Sequence, residues 1–184
     1  MSAPERVVTD AVAMRRRREE DSPAMVEMIA SSLDHLMPWM GWLADGFDPE
    51  STYENGREAD AEWETGRTFQ YLLEADGRLV GSAALHVGDG GVAEVGYWLV
   101  AGAEGHGYVR AAVAELVRIG FEDVGVEKIE IWHDEANVRS AAVPDALGFR
   151  VRDRLTHPRE PRHGNEIGVD IVHELTAQEW LARA

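Results

Sequence analysis

One stretch decides how the rest of the chain is read: GYWLVAGAEGHGYVRAAV, Gly96 to Val113. Its first part continues VAE and alternates as a strand does, while its second part opens a helical stripe of Val109, Ala112, Val113, Leu116, Val117 and Phe121. Between them lie Gly105 and Gly107, one residue apart. The first N–H groups of a helix have no partner within it and stand at the positive end of its dipole. Glycine lets a phosphate approach such groups closely. Two readings stand: a tight strand-to-helix connection, or an anion cradle made of main-chain amides.

Two other phosphate motifs are excluded. A dinucleotide fingerprint wants a third glycine where Arg110 stands, and no Gly-Lys-Ser/Thr exists for a nucleotide P-loop. Gly88 to Gly91 leads into a strand, not a helix.

Outward from this stretch the periodicity is clear. TFQYLLEADGRLVGSAALHV reads as a hairpin about Asp76-Gly77, and Gly88 to Gly91 turns the chain into VAEVGYWLV. Further back, Val7 to Arg15 reads as a first strand. Asp21-Ser22-Pro23 starts a helix with Met25, Met28, Ile29 and Leu33 on one face. HLMPWMGWL predicts a short irregular helix, and Asp48-Pro49 begins another that reaches Glu64. Downstream, VEKIEIWH is a strand, ANVRSAAVPDALGF a helix ending at Gly148, and FRVRDRLTH and EIGVDIVHEL the last strands. This order predicts an α+β domain over residues 1–184: one mixed, mostly antiparallel sheet of about seven strands with helices on both faces.

Bulk properties narrow the partners. The net charge is −16, from 34 acids and 18 bases, a field that repels nucleic acid and anionic membrane and draws cationic acceptors. Arg15 to Arg18 resembles a nucleic-acid patch, but Glu19, Glu20 and Asp21 follow at once and predict a self-neutralised strand end. There is no cysteine, so neither a disulfide framework nor thiolate catalysis is available. No apolar run approaches the roughly 18 residues of a membrane span, and the first residues lack a secretory core, so a cytoplasmic setting is expected.

The decisive stretch resembles the acetyl-CoA-binding segment of the GNAT superfamily of N-acyltransferases, with its Gln/Arg-x-x-Gly-x-Gly/Ala pattern. ANVRSAAVPDALGF is similar to that superfamily's Asn-x-x-Ser…Leu-Gly-Phe segment, here Asn137, Ser140, Leu147, Gly148 and Phe149. SSLDHLMPWMGWL is similar to the Ser-x-x-x-(His)-Leu-x-x-Trp-x-x-Trp stretch of its RimJ/RimL-type branch, which modifies protein α-amino groups. The resemblance covers Val7 to Leu175. It departs at Glu104, which replaces the Gln/Arg and sets a negative charge beside the expected phosphates. It departs also at Val109, Arg110 and Pro144.

The resemblance implies acetyl transfer from acetyl-CoA to a primary amine, the preferred acceptor being a protein or peptide N-terminus and the next a small amine. In these terms Leu99 and Val100 take the pantetheine arm, with the Val100 N–H polarising the thioester carbonyl. Gly105, His106, Gly107, Tyr108 and Val109 hold the pyrophosphate, and Asn137 hydrogen-bonds the nucleotide or serves a turn. Glu94 is the general base, on a strand apolar enough to desolvate it, or else a solvated or ion-paired strand residue. Ser140 returns a proton to sulfur, or caps its helix. His35, Trp39 and Trp42 cover the acceptor, or are plain core. His133-Asp134-Glu135 and His163 with His173 lack metal-ligand spacing, so no metal is expected. Relatives often pair through their sheets, which makes a homodimer an expectation. The rival from another class is a non-catalytic CoA-binding or interaction module on the same fold.

Overall fold

The computed structural model describes residues 3–156 and 164–183. The strands are β1 (Arg6–Val8), β2 (Ala13–Arg16), β3 (Thr68–Ala75), β4 (Arg78–Val87), β5 (Val92–Leu99), β6 (Lys128–Asp134), β7 (Arg150–Leu155) and β8 (Asp170–Thr176). The helices are α1 (Ser22–Ala30), α2 (Leu33–Leu36), α3 (Pro49–Thr65), α4 (Tyr108–Arg118), α5 (Val138–Ala146) and α6 (Ala177–Leu181). All eight strands join one sheet in the order β1-β2-β3-β4-β5-β6-β8-β7, antiparallel except where β5 meets β6.

The eighth strand corrects the expected seven, because Val7 to Arg15 is a hairpin and not one strand. Its turn is set by Thr9, whose hydroxyl oxygen accepts the N–H groups of Ala11 and Val12 at 3.2 and 3.0 Å. A short polar side chain that satisfies its own neighbouring amides is a turn signal, and here it lies inside an apolar run.

Helix boundaries follow local chemistry. Asp48 caps α3 by accepting the Glu50 N–H at 3.0 Å, Pro49 sits in the first turn, and Gly66 ends the helix in the left-handed conformation. Trp63 packs edge-on to Phe69 and Tyr71, holding α3 against β3. One face of the sheet carries the larger core, in which Leu85, Val95, Val113, Leu116 and Ile129 are buried. Each such side chain contributes about 1.5–3 kcal/mol. The opposite face carries a smaller cluster of Met25, Met28, Ile29, Leu36, Leu43 and Leu72.

The feature that positions the site is a parting in the sheet. β5 pairs with β6 only from Val92 to Glu94, against Lys128 to Glu130. Beyond Glu94, β5 stays with β4 as far as Leu99, while β6 stays with β8 as far as Asp134. Beyond Glu94, then, neither strand has the other as a partner.

Candidate active site

A cleft of about 680 Å³ passes this parting. Tyr97, Asn137 and Ser140 line it on the α5 side, and Glu94, Gly96 and Trp98 line it on the face that carries α1 and α3. Two reactants entering from opposite faces can therefore meet between β5 and β6.

Main-chain parity decides which amides face the gap. The Val100 N–H donates to Val80 O at 2.9 Å, so it is spent within the sheet. This corrects its assignment as the group that polarises a carbonyl. Hydrogen bonds to one neighbour alternate along an antiparallel strand. With Val100 bonded to β4, the N–H groups of Tyr97 and Leu99 point the other way, toward the parting. The last β5 amide that faces the parting is therefore one residue earlier, at Leu99.

The glycine loop has the form of a cradle. Gly105 and Gly107 have φ of +82° and +79°, and the position of a Cβ at either has no neighbouring atom within 4 Å. Among the described residues, no main-chain carbonyl accepts the N–H of Gly105, Gly107, Tyr108 or Val109. Val109 and Tyr108 turn their side chains to the core, so the departure at Val109 leaves its amide at the loop. His106 is exposed and stacks on Tyr108 with ring centroids 5.2 Å apart. Glu104 does not close the loop. Its carboxylate accepts the Gly102 N–H at 2.7 Å and reaches Arg139 at 3.3 Å and His35 at 3.4 Å, while Arg110 is not among its partners. Hydrogen bonds from its own and the Gly102 amide, with the charges of His35 and Arg139, hold it below the usual carboxylate range against a smaller opposing effect of burial. A diphosphate group fits this arrangement: open amides at a helix start, no atoms over the glycines, and the one nearby acid tied back.

Across the parting, the Tyr97 hydroxyl lies 3.1 Å from Ser140 Oγ and also donates to Ser140 O at 3.1 Å. Burial pushes the Tyr97 phenol up to about 12, only partly offset by the Ser140 hydrogen bond, so it stays protonated and acts as a donor. The helix cap is Asn137, whose Oδ1 accepts the Ser140 N–H at 3.2 Å. Ser140 is therefore not the cap, and its hydroxyl is left facing Tyr97 and the cleft. Sequence reasoning passed over Tyr97; its parity in β5, facing the side of α5, was the signal.

On the other face, Trp39 and Trp42 line the cleft, Trp42 with its ring centroid 6.3 Å from Trp98. His35 is not brought there; it goes to Glu104 at the mouth of the glycine loop. Glu94 lines the cleft beside His86, its cross-strand neighbour, and is exposed, in contrast to the desolvated setting expected. Three further carboxylates that sequence reasoning did not assign to the site, Asp134, Glu166 and Asp170, line the same end. Asp134 is buried, which raises its pKa, but N–H groups of Ala136, Ile167, Gly168 and Val169 outweigh this and hold it below the usual range. It thereby ties residues 167–169 to the end of β6.

His133 and His173, far apart in sequence, meet with Nε2 atoms 3.0 Å apart, and both are buried. Burial, then the neighbouring His133, pushes His173 below the ordinary imidazole range, against a weaker pull from Asp145. No group of three or more His, Asp or Glu side chains suited to a metal converges among the described residues. His163 lies outside them.

A sheet parted between its fifth and sixth strands, with an amide cradle on one side and an open cleft on the other, defines an acyltransferase architecture. The family model described as the acetyltransferase (GNAT) domain matches residues 12–150, and the chain belongs to this family of acetyl-CoA-dependent N-acetyltransferases. YdaF of Bacillus subtilis (strain 168), which carries a provisional designation as a ribosomal N-acetyltransferase, is 27% identical over 180 residues, covering 94% of this chain and 95% of that protein. Among solved structures, RimL, a ribosomal L7/L12 α-N-protein acetyltransferase in complex with coenzyme A, superposes with a TM-score of 0.84 at 15% identity. That match covers 94% of this chain and 98% of the RimL chain. The microcin C7 self-immunity acetyltransferase MccE, in complex with acetyl-CoA and AMP, superposes with a TM-score of 0.80 at 18% identity, over 91% and 93% of the two chains. The same fold thus accommodates different acceptors.

Proposed function

We propose that this chain acetylates a primary amine by direct attack, and that its preferred acceptor is the α-amino group of a protein or peptide N-terminus. The observation that carries this reading is the cleft through the β5–β6 parting, with a proton donor on one side and carboxylates on the other. YdaF, similar over nearly the whole chain, supports the choice of a protein acceptor.

Acetyl-CoA supplies the activated acetyl thioester when bound. The amides from Gly105 to Val109 hold its pyrophosphate, and Leu99, at the end of β5, offers the N–H that stabilises developing negative charge on a carbonyl oxygen. Glu94, facing the cleft, takes a proton from the incoming ammonium, directly or through water. Ser140 Oγ, 3.1 Å from the Tyr97 hydroxyl, would pass its proton to sulfur and regain one from the nitrogen that has attacked, so that no alkoxide is left. Trp39, Trp42 and Trp98 wall the acceptor channel. No cysteine is present to form an acyl-enzyme, which agrees with direct transfer.

The test is release of free CoA from acetyl-CoA across a panel of N-terminal peptides, polyamines and aminoglycosides. Turnover highest on peptides, and abolished when their α-amine is blocked, is the expected result. Turnover on small amines alone would replace the acceptor assignment, and none with any amine would overturn the catalytic one.

A further inference from the structure

The four arginines that leave β2 are not equivalent. Arg15 is met by Glu74 at 2.7 Å and Asp21 at 2.8 Å, and Arg16 by Glu5, Asp60 and Glu64 at 3.1, 2.8 and 2.8 Å. Arg18 is met by Glu5 at 2.8 Å. The strand end is neutralised largely by distant acids, Asp21 alone coming from the adjacent trio. Arg17 is the exception. Its side chain is only 1% exposed, yet no carboxylate pairs with it among the described residues.

Instead, neutral groups surround this guanidinium. Nη1 donates to Asn55 Oδ1 and, at 2.9 Å, to Gln70 Oε1; Nη2 donates to Thr52 O at 2.9 Å. Nε–H has no acceptor. Asp21, the acid whose charge favours Arg17, already has its oxygens taken by Arg15 and by the Arg18 N–H. Glu62 also lines the cleft, and it is not among the hydrogen-bond partners of Arg17. Burial lowers the pKa of this guanidinium, but an arginine does not discharge near neutral pH. The fold therefore carries a buried cation with no carboxylate hydrogen-bonded to it, a costly arrangement for a merely structural role.

That cation lies beside the acceptor cleft. Arg17, Thr52, Asn55, Gln70 and Ser82 all line it. Because Arg17 claims the carbonyl oxygens of Asn55 and Gln70, their amide groups offer a ligand N–H donors only. Gln70 spends one of these on Ser82 Oγ at 3.3 Å. An anion is the ligand that both the donors and the field behind them select. Glu94, on β5 where the parting begins, favours a cation instead.

We infer that the acceptor carries a carboxylate as well as its reacting amine, docked on Asn55 and Gln70 over the buried charge of Arg17. This deepens the proposed function and rests on the reading of the cleft as the acceptor site. Registry sets the spacing. Gln70 pairs with Ala84 and Ala84 with Gly96, so Gln70 stands two strand spacings, roughly 10 Å, from β5, the strand that borders the parting. Extended peptide spans about 3.4 Å per residue, which places the carboxylate on the second or third residue of an N-terminus. A free α-amino acid is too short to bridge the two ends.

The test compares C-terminally amidated tetrapeptides, Ser-Glu-Ala-Ala against Ser-Gln-Ala-Ala and Ser-Ala-Glu-Ala against Ser-Ala-Gln-Ala, with free serine as the short arm, by CoA release. The expected result is at least a tenfold higher kcat/KM for one Glu peptide over its Gln twin, carried by KM, with free serine poor. Arg17→Met should bring the pair within twofold. Asn55→Asp keeps an acceptor for Arg17 but removes the N–H donor offered to the ligand, so it should reverse the preference even if the arginine variant does not fold. Equal rates for Glu and Gln peptides overturn this inference and leave the acetyltransferase reading standing. If no peptide releases CoA, that reading fails, and tryptophan fluorescence titration of the protein–CoA complex with the same pairs still decides. Tighter binding of a Glu peptide supports the anchor, and equal or absent binding refutes it.

Discussion

Replacing Gly107 by alanine tests the amide cradle most directly. Gly107 has φ +79°, where an L side chain costs roughly 1–2 kcal/mol. Nothing in the protein lies within 4 Å of the new methyl, so packing adds no further penalty. Loss of about 1 kcal/mol lowers Tm by roughly 2–4 °C for a chain of this size. The methyl does, however, stand where a pyrophosphate must approach the amides. Loss of one charge-assisted hydrogen bond, about 1.5–3 kcal/mol, weakens CoA binding at least tenfold. At a CoA concentration of about 100 Kd, ligand stabilises the wild type by about 2.7 kcal/mol; a tenfold weaker Kd leaves about 1.4 kcal/mol. The thermal shift produced by CoA should therefore fall by about half. Gly77→Ala is the control: Gly77, in the β3–β4 turn, has φ +74° and equally open surroundings, so it should lower Tm alike and leave the CoA shift intact. Equal CoA shifts in the wild type and Gly107→Ala would refute the cradle.

Two further outcomes are expected. Ser140→Ala should lower kcat by roughly 100-fold while the CoA-induced thermal shift stays unchanged, since the Tyr97 hydroxyl keeps the Ser140 carbonyl as a partner; an unaltered kcat would remove Ser140 from proton transfer. His173 has a folded pKa below its unfolded value of about 6.5. Below pH 6.5 the unfolded chain binds a proton that the folded chain refuses, so this group's stabilisation is full above that pH and is lost as pH falls toward the folded pKa. Urea midpoints measured from pH 5 to 8 should drop less steeply on acidification in His173→Gln, and identical profiles would show that the pair does not titrate on unfolding.

Much of the architecture was legible because local chemistry and global fold agree. Asp48-Pro49, Asp76-Gly77 and the Val109–Phe121 stripe each announce their element through interactions within a few residues, and the structure uses them, except that the α-helix ends at Arg118 and Phe121 lies in a π-helical turn, Ile119–Val124. The Val7–Arg15 hairpin was missed because its turn depends on one threonine hydroxyl inside an apolar run. The site was legible to a lesser degree. Gly107 and Ser140 occupy motif positions, so their neighbourhood follows from the strand-to-helix and strand-to-cap connections. The amide facing the parting was misassigned by one residue, because hydrogen-bond parity depends on the pairing of Val100 with Val80, twenty positions away.

Sequence alone determined which segments become strands and helices, that one strand feeds a glycine-bracketed helix start, and that a strongly acidic chain without cysteine must do its chemistry without thiols. These are properties of neighbours along the chain and of composition, which no folding rearranges. Tertiary structure decided the rest: Tyr97 against Ser140, Glu104 turned back onto Gly102 and His35, His133 against His173, and one arginine of four left without a carboxylate. Each of these depends on side chains brought together across strands and helices, and short-range periodicity holds no information about such distances. Charge shows this most plainly. Four consecutive arginines read alike in the sequence, and only burial and the positions of Glu5, Asp60, Glu64 and Glu74 separate three neutralised cations from the one that faces a substrate cleft.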